Sequence, residues 1–115
     1  MSTNSLIEYI SKKIKDYKSN QIIFTKIKLI DWLCKRNSTT LEEMKNELLN
    51  GKNLVHVVKQ EVVYLNQKEE RFQCYFVYSK TKGRCYILKF EEVIKVITVF
   101  PLGRTTLKRY TRKFK

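Results

Sequence analysis

The sequence predicts an α+β fold in which two or three N-terminal helices pack on one four-stranded antiparallel sheet. Up to residue 50, apolar residues recur at three- and four-residue spacing, which is typical of amphipathic helices. From Leu54 onward, β-branched and aromatic residues dominate and apolar character alternates, which favours strands. The chain has 115 residues, enough for one core. We therefore expect a single domain over 1–115, with helices over about 3–50, the sheet over about 54–100 and a basic segment over 104–115.

The first two helices are predicted over residues 3–18 and about 25–36. Lysines occupy the polar face of the first helix and gather toward its C-terminal end, where the helix dipole favours cations. Ser19-Asn20 separates the two helices, and a short apolar stretch over 21–25 leads into the second. The apolar faces consist of Leu6, Ile7, Ile10, Ile14 and Tyr17 in the first helix and Ile27, Ile30, Leu33 and Cys34 in the second.

A third, short helix is predicted to begin after Thr40 and to end at Asn50-Gly51. The Thr40 side chain can accept a hydrogen bond from the N–H of Glu43 while Glu43 reaches back, which is a capping box. Leu41, Met44 and Leu48 form the apolar stripe of this helix.

Four strands are predicted over about 54–65, 71–79, 84–90 and 93–100. The polar connections over 66–70 and 80–83 and the corner Glu91-Glu92 are short, so the strands form an antiparallel meander. Pro101 ends the last strand because proline cannot donate to the ladder. The segment from Arg104 to Lys115 is left open between a closing strand, a short helix and a mobile tail.

The charge of the chain is strongly positive and unevenly distributed. The formal net charge is +13, of which residues 1–79 carry +4 and residues 80–115 carry +9. A concentrated positive field predicts a polyanionic partner, and the alternative is that the charge only provides solubility. Nucleic acid is favoured over a membrane because no segment combines a large apolar face with a basic face. Without a secretory signal or an apolar run of about 18 residues, a soluble cytoplasmic protein is expected.

No cofactor or metal is expected. The three cysteines, Cys34, Cys74 and Cys85, have no Cys-x-x-Cys spacing, and the chain has one histidine, so a zinc site is not predicted. The cysteines are interpreted as reduced core residues. The sequence also has no phosphate-binding glycine-rich loop, nucleophile elbow or His-Glu-x-x-His motif.

Cations and phenols on the predicted strands are candidates for binding a sugar-phosphate chain. This set consists of Arg71, Tyr75, Arg84, Tyr86, Lys89 and Lys95. In strict alternation Arg84 and Tyr86 share one face and Lys89 lies on the other, so we expect one face to be partly open. An exposed sheet with aromatic and basic residues suits unpaired bases, which favours RNA or single strands. The alternative is that the tyrosines are ordinary half-buried strand residues.

The C-terminal run over 103–115 contains six bases and no acid. If it is helical, Arg104, Lys108 and Arg112 lie on one face, and if it is extended, Lys108, Tyr110 and Arg112 do. Either arrangement presents a row of cations to phosphate, and the alternative is a solvated tail. His56 is a candidate general base because histidine titrates near neutrality, and the alternative is a structural role.

Two groups of short motifs resemble a known family. The stretches 22–26, 40–43 and 48–51 are similar to the front half of small domains of unknown function in the RelE/ParE-like toxin superfamily. The stretches 83–88 and 96–101 are similar to the two sheet strands by which those domains are recognised. The resemblance covers roughly residues 21–104. It implies a metal-independent ribonuclease fold in which the ribose 2′-OH attacks the adjacent phosphorus.

The resemblance also implies roles for the basic residues. Arg84 stabilises the developing charge, and Arg71, Arg104, Lys108 and Tyr110 join it at one concave surface. The residues expected to hold the nucleic-acid backbone are Tyr86, Lys89, Lys95, Arg109, Arg112 and Lys113. The chain departs from the family pattern at Ile27, because a histidine commonly follows the Phe-Thr-x element. Two alternatives to the toxin-like ribonuclease therefore stay open: a DNA- or RNA-binding protein without activity, and an interaction module for an antitoxin-like acidic protein partner.

Overall fold

The computed structural model describes residues 3–25, 27–36 and 39–111 and confirms the α+β class. Helices flank a five-stranded sheet. The elements in chain order are α1 (Thr3–Lys15), a 3-10 turn (Ser19–Gln21), β1 (Ile22–Phe24), α2 (Ile27–Arg36), α3 (Leu41–Asn50), β2 (Leu54–Tyr64), β3 (Gln67–Val77), β4 (Gly83–Phe90), β5 (Ile94–Pro101) and α4 (Arg104–Thr111). Within the described residues, no helix has the length and apolar character needed to span a membrane.

The sheet is mixed and has the order β1-β5-β4-β3-β2, so the prediction of four antiparallel strands was wrong in part. Strands β2 to β5 form the predicted antiparallel meander, while β1 pairs with β5 in parallel. The α2–α3 pair lies in the crossover that parallel strands require. The three residues of β1 are too few to show the alternation that is typical of a strand. Residues 21–25 were therefore identified from the sequence only as a short apolar stretch.

The third helix has the predicted capping residues. Thr40 Oγ1 accepts from the N–H of Glu43 at 3.1 Å, and Gly51 adopts the left-handed conformation at φ 67°. The Glu43 carboxylate instead accepts from the Thr39 hydroxyl at 3.0 Å.

The β2–β3 connection was predicted as a loop over 66–70, and it is a tight turn at Leu65-Asn66. These two residues have φ of 50° and 63°, as a type I′ turn requires. Leucine is not a residue that signals such a turn, so the sequence placed the start of β3 four residues too late.

The core lies on the face of the sheet that α1 and α3 cover. The register pairs Cys74 with Tyr86 and Phe72 with Leu88, and all four side chains are buried there. Cys34, Cys74 and Cys85 are buried free thiols, and burial raises the pKa of Cys85 to about 12. This agrees with their interpretation as small core residues.

Helix α4 packs on one end of the opposite face. Its Leu107 is buried against Gly83, where an added Cβ would lie 2.9 Å from side-chain carbons of Leu102 and Leu107 and from the carbonyl oxygen of Phe76. Glycine at position 83 therefore allows α4 to approach the sheet closely. Beyond α4, this face carries half-buried residues such as Gln73 and Ile87, and we call it the open face.

Candidate nucleic-acid interface

The guanidinium of Arg84, the residue first expected to stabilise charge, is bound by a carboxylate of the protein itself. Arg84 Nη1 lies 2.6 Å from both carboxylate oxygens of Glu47 in α3. The phenols of Tyr78 and Tyr86 donate to the same carboxylate at 2.7 and 2.5 Å. We call these four residues the Glu47 cluster. It borders a cavity of about 340 Å³ that Thr39, Glu43 and Lys82 also line.

The pKa values in the Glu47 cluster indicate a structural network. Burial lowers the pKa of Arg84, but the hydrogen bonds and charges of Glu47 and Tyr86 together outweigh this, so the net pKa is raised and the guanidinium stays charged. Burial first, and then the neighbouring Glu47 charge, raises the pKa of Tyr86, which stays protonated. Tyr86 has no exposed surface. Its prediction as a nucleic-acid contact was therefore wrong: the ring is core and the hydroxyl is committed to Glu47.

Three further predicted strand cations form ion pairs on the open face. Lys89 lies 2.7 Å from both Glu69 and Glu91, Lys95 lies 3.0 Å from Glu91, and Arg71 lies 3.0 Å from Glu69. We call these five residues the charge ladder. Two carboxylates neutralise two of its three cations, so the ladder presents a weak net field.

The pKa shifts in the charge ladder follow from these contacts. Hydrogen bonds from Lys89 and then Arg71 lower the pKa of Glu69, and hydrogen bonds from Lys89 and then Lys95 lower that of Glu91. The same bonds raise the pKa of Lys89. Glu69, Glu91 and Lys89 are therefore charged at neutral pH, and the three cations of the ladder already have anionic partners.

The cations of α4 have a different environment. Among the ion pairs of the described residues, none includes Arg104, Lys108 or Arg109. Lys80, Arg104 and Lys108 line a cavity of about 560 Å³ whose other lining residues are Thr81, Leu102, Gly103 and Leu107. None of the described residues that line this cavity carries a carboxylate. We call Lys80, Arg104, Lys108 and Arg109 the α4 basic surface.

Aromatic rings lie beside the α4 basic surface. The His56 ring stacks on Tyr110 at a centroid distance of 5.7 Å and lies 5.4 Å from the ring of Tyr75. The ring centroids of Tyr75 and Tyr110 are 6.0 Å apart. All three side chains are half-buried on the open side of the sheet, and we call them the aromatic trio. Burial raises the pKa of Tyr75, and the charge of Arg109 opposes that shift.

The structure does not bring the predicted site residues into one pocket. Arg84 and Tyr86 lie on the helix-covered face, while Arg71, Lys89 and Lys95 lie in the charge ladder. Arg104, Lys108, Arg109 and Tyr110 gather on α4. Arg112 and Lys113 lie outside the described residues.

Sequence reasoning missed the carboxylates that decide these roles. Glu47 is 37 residues from Arg84 and on a separate helix, and no local spacing connects them. Glu69 was assigned to a loop, although it lies two residues before Arg71 on β3. Lys80 lies on a predicted turn, and nothing in the sequence pattern indicates that it lies close to α4.

No protein-family model, curated protein or solved structure matches this chain.

Proposed function

We propose that the protein binds single-stranded nucleic acid, with RNA favoured, on the α4 basic surface and the adjoining aromatic trio. The observation that carries the proposal is a contrast in ion pairing: the strand cations of the Glu47 cluster and the charge ladder have carboxylate partners, and those of α4 have none among the described residues. Cations without internal partners keep their field for an external anion, and phosphate is the anion that a row of them suits.

The position of Arg104 supports an external role. It is the first residue of α4, whose first turn holds no acidic residue. The helix dipole disfavours a cation at this end, so Arg104 does not serve the stability of its own helix. A phosphate bound there would gain from both the guanidinium and the dipole.

The aromatic trio supports single strands over a duplex. Half-buried rings on an open sheet can stack with unpaired bases while neighbouring cations hold the backbone. Helix α4 has eight residues and packs on the sheet through Leu107, so it is short for reading a DNA groove.

Binding of a short labelled single-stranded RNA, measured by fluorescence anisotropy over a range of salt concentrations, tests the proposal. The double variant Arg104→Ala/Lys108→Ala should bind on the order of tenfold more weakly. Its plot of log K against log salt should also be less steep, by about 1.4 in slope, since each lost phosphate contact removes about 0.7. Arg71→Ala/Lys95→Ala removes the same charge from the charge ladder and is the matched control, with little change expected. Equal losses in both variants would contradict the proposal.

A second candidate function is metal-independent cleavage of the bound RNA, favoured by the contact of His56 with Tyr110 beside Arg109. His56 would take the 2′-OH proton as the 2′-oxygen bonds to phosphorus, and the bond to the 5′-oxygen would break. The leaving oxygen would take a proton from the Tyr110 phenol, while Arg109 would stabilise the phosphoryl oxygens. In this scheme Arg109 has the charge-stabilising role that the family resemblance gave to Arg84.

Incubation with labelled RNA in EDTA and end-group analysis distinguish the two candidates. Cleavage predicts cyclic phosphate and 5′-hydroxyl ends, which His56→Ala should abolish while binding persists. Retained binding without product would leave the protein a binder. Products unaffected by His56→Ala would exclude the proposed role of His56.

A further inference from the structure

Strand β2 is an edge of the sheet with an unpaired side. It is the last strand in the order and runs over eleven residues, Leu54–Tyr64. Its inner side pairs with β3, and no strand of the described residues pairs with its outer side. The N–H and C=O groups along that outer side are a template for another strand.

The sequence of β2 is self-complementary about its centre. Residues 56–64 read His-Val-Val-Lys-Gln-Glu-Val-Val-Tyr. Reversing the order exchanges Lys59 with Glu61 and leaves Gln60 in place, with valine pairs and an aromatic residue on either side. An antiparallel pair of identical strands brings each residue opposite its mirror position.

We propose that two copies of this chain pair through β2, antiparallel, with the two-fold axis at Gln60. Lys59 of each copy then faces Glu61 of the other, and Val58 faces Val62. Moving the axis by one residue would place Lys59 or Glu61 opposite its own counterpart, which like charges disfavour. The charge pattern therefore selects one register.

Within the single chain, Glu61 has an unfavourable electrostatic environment that a second copy would relieve. On β3 it faces Glu70, a like charge, and it is in none of the ion pairs of the described residues. Lys59 lies 3.5 Å from Glu70, with both side chains about half exposed. A second copy would supply Lys59 to Glu61 twice, once on each side of the axis.

Apolar exposure on the same strand points to the same partner. The Val63 side chain is 70% exposed, whereas Val57 is buried. In the proposed register Val63 faces Val57 of the second copy, so the exposed methyl groups would extend an existing apolar surface. The two sheets would join with equivalent faces on the same side, which would also place both α4 basic surfaces on one side of the dimer.

Cysteine cross-linking tests the register directly. In Gln60→Cys the two Cα atoms on the axis would lie about 4.5–5.5 Å apart, within disulfide range. Val62→Cys is the matched control, because its copies would lie about 13 Å apart, four residues along the strand. The native cysteines are buried. We expect Gln60→Cys to form a disulfide-linked dimer and Val62→Cys to form none. If the chain dimerises but Gln60→Cys does not cross-link, the proposed register is wrong.

Charge exchange tests the interface without cross-links. Sedimentation equilibrium of the wild-type chain should show a dimer, which Glu61→Lys should weaken on the order of tenfold or more, because each change acts twice. Glu61→Lys also removes the repulsion by Glu70 within the chain, so the fold should persist, as circular dichroism can verify. Lys59→Glu/Glu61→Lys restores opposite charges and should recover the dimer. A monomeric wild-type chain, or a dimer indifferent to Glu61→Lys, would overturn the proposal.

Discussion

Four strand cations and the α4 cations of this protein have similar side chains and opposite electrostatic environments. Arg71, Arg84, Lys89 and Lys95 each lie within 3.0 Å of a carboxylate. Arg104, Lys108 and Arg109 have no such contact among the described residues, and the chain has no Asp or Glu after Glu92. The first set is neutralised within the fold, and the second is the set that the proposed function assigns to an external anion. Net charge alone therefore does not show which cations are already paired within the fold.

The largest expected effect is on the Glu47 cluster. Glu47→Ala would leave the largely buried Arg84 guanidinium without its counter-charge and the hydroxyls of Tyr78 and Tyr86 without their acceptor. The free energy of unfolding should fall by about 3 kcal/mol, because removing one partner of a buried ion pair is strongly destabilising. Urea denaturation of the purified variant measures this change.

Glu42→Ala is the matched control for Glu47→Ala, since Glu42 is an exposed carboxylate of the same helix. Its free energy of unfolding should change by less than about 1 kcal/mol. Equal losses in the two variants would mean that the Glu47 cluster has no special structural role. RNA binding by folded Arg84→Ala should stay near the wild-type value, because Arg84 belongs to the first set of cations.

A carboxylate introduced on α4 should pair with the α4 cations and neutralise them, as carboxylates already neutralise the strand cations. Thr105 is exposed and lies three and four residues before Lys108 and Arg109. Thr105→Glu should therefore reduce affinity for single-stranded RNA on the order of tenfold. It should also stabilise the fold by about 0.5 kcal/mol, since the new charge favours the helix N-terminus and pairs along the helix.

Thr105→Gln separates charge from side-chain size in that experiment. It has the length of glutamate without the charge, so its RNA affinity should match the wild type. Anisotropy titrations and thermal denaturation on the same preparations give both quantities. If Thr105→Glu binds as well as Thr105→Gln, the α4 basic surface does not hold phosphate.

Local signals in the sequence predicted much of the fold. The cap at Thr40, the left-handed Gly51 and the meander over β2 to β5 each depend on neighbouring residues, and the structure confirms them. The strand at Ile22–Phe24 was missed because its strand character comes from pairing with β5, about 70 residues away. Chain topology, more than intrinsic propensity, makes those three residues a strand.

The candidate site was predicted less completely than the fold, because it depends on contacts between residues that are distant in sequence. The basic C-terminal segment could be recognised from the sequence because no acid lies near it. The availability of Arg84 depended on Glu47, which tertiary packing brings from a different element. A sequence shows the charges of two distant residues and gives no account of whether the fold pairs them.

The smallest expected effect concerns the charge ladder in acid. Hydrogen bonds from Lys89 hold the pKa of Glu69 and of Glu91 below the ordinary value of 4.5, so the unfolded chain binds more protons than the folded one at acidic pH. The free energy of unfolding should therefore fall as the pH is lowered from about 5 to about 3, as denaturation at a series of pH values can measure. Glu69→Gln should flatten this decline, while Glu92→Gln, at an exposed carboxylate outside the ion pairs of the described residues, should keep it. A decline that is equally steep in both variants would show that the acid sensitivity arises elsewhere and that the ladder cations are less firmly paired than their geometry indicates.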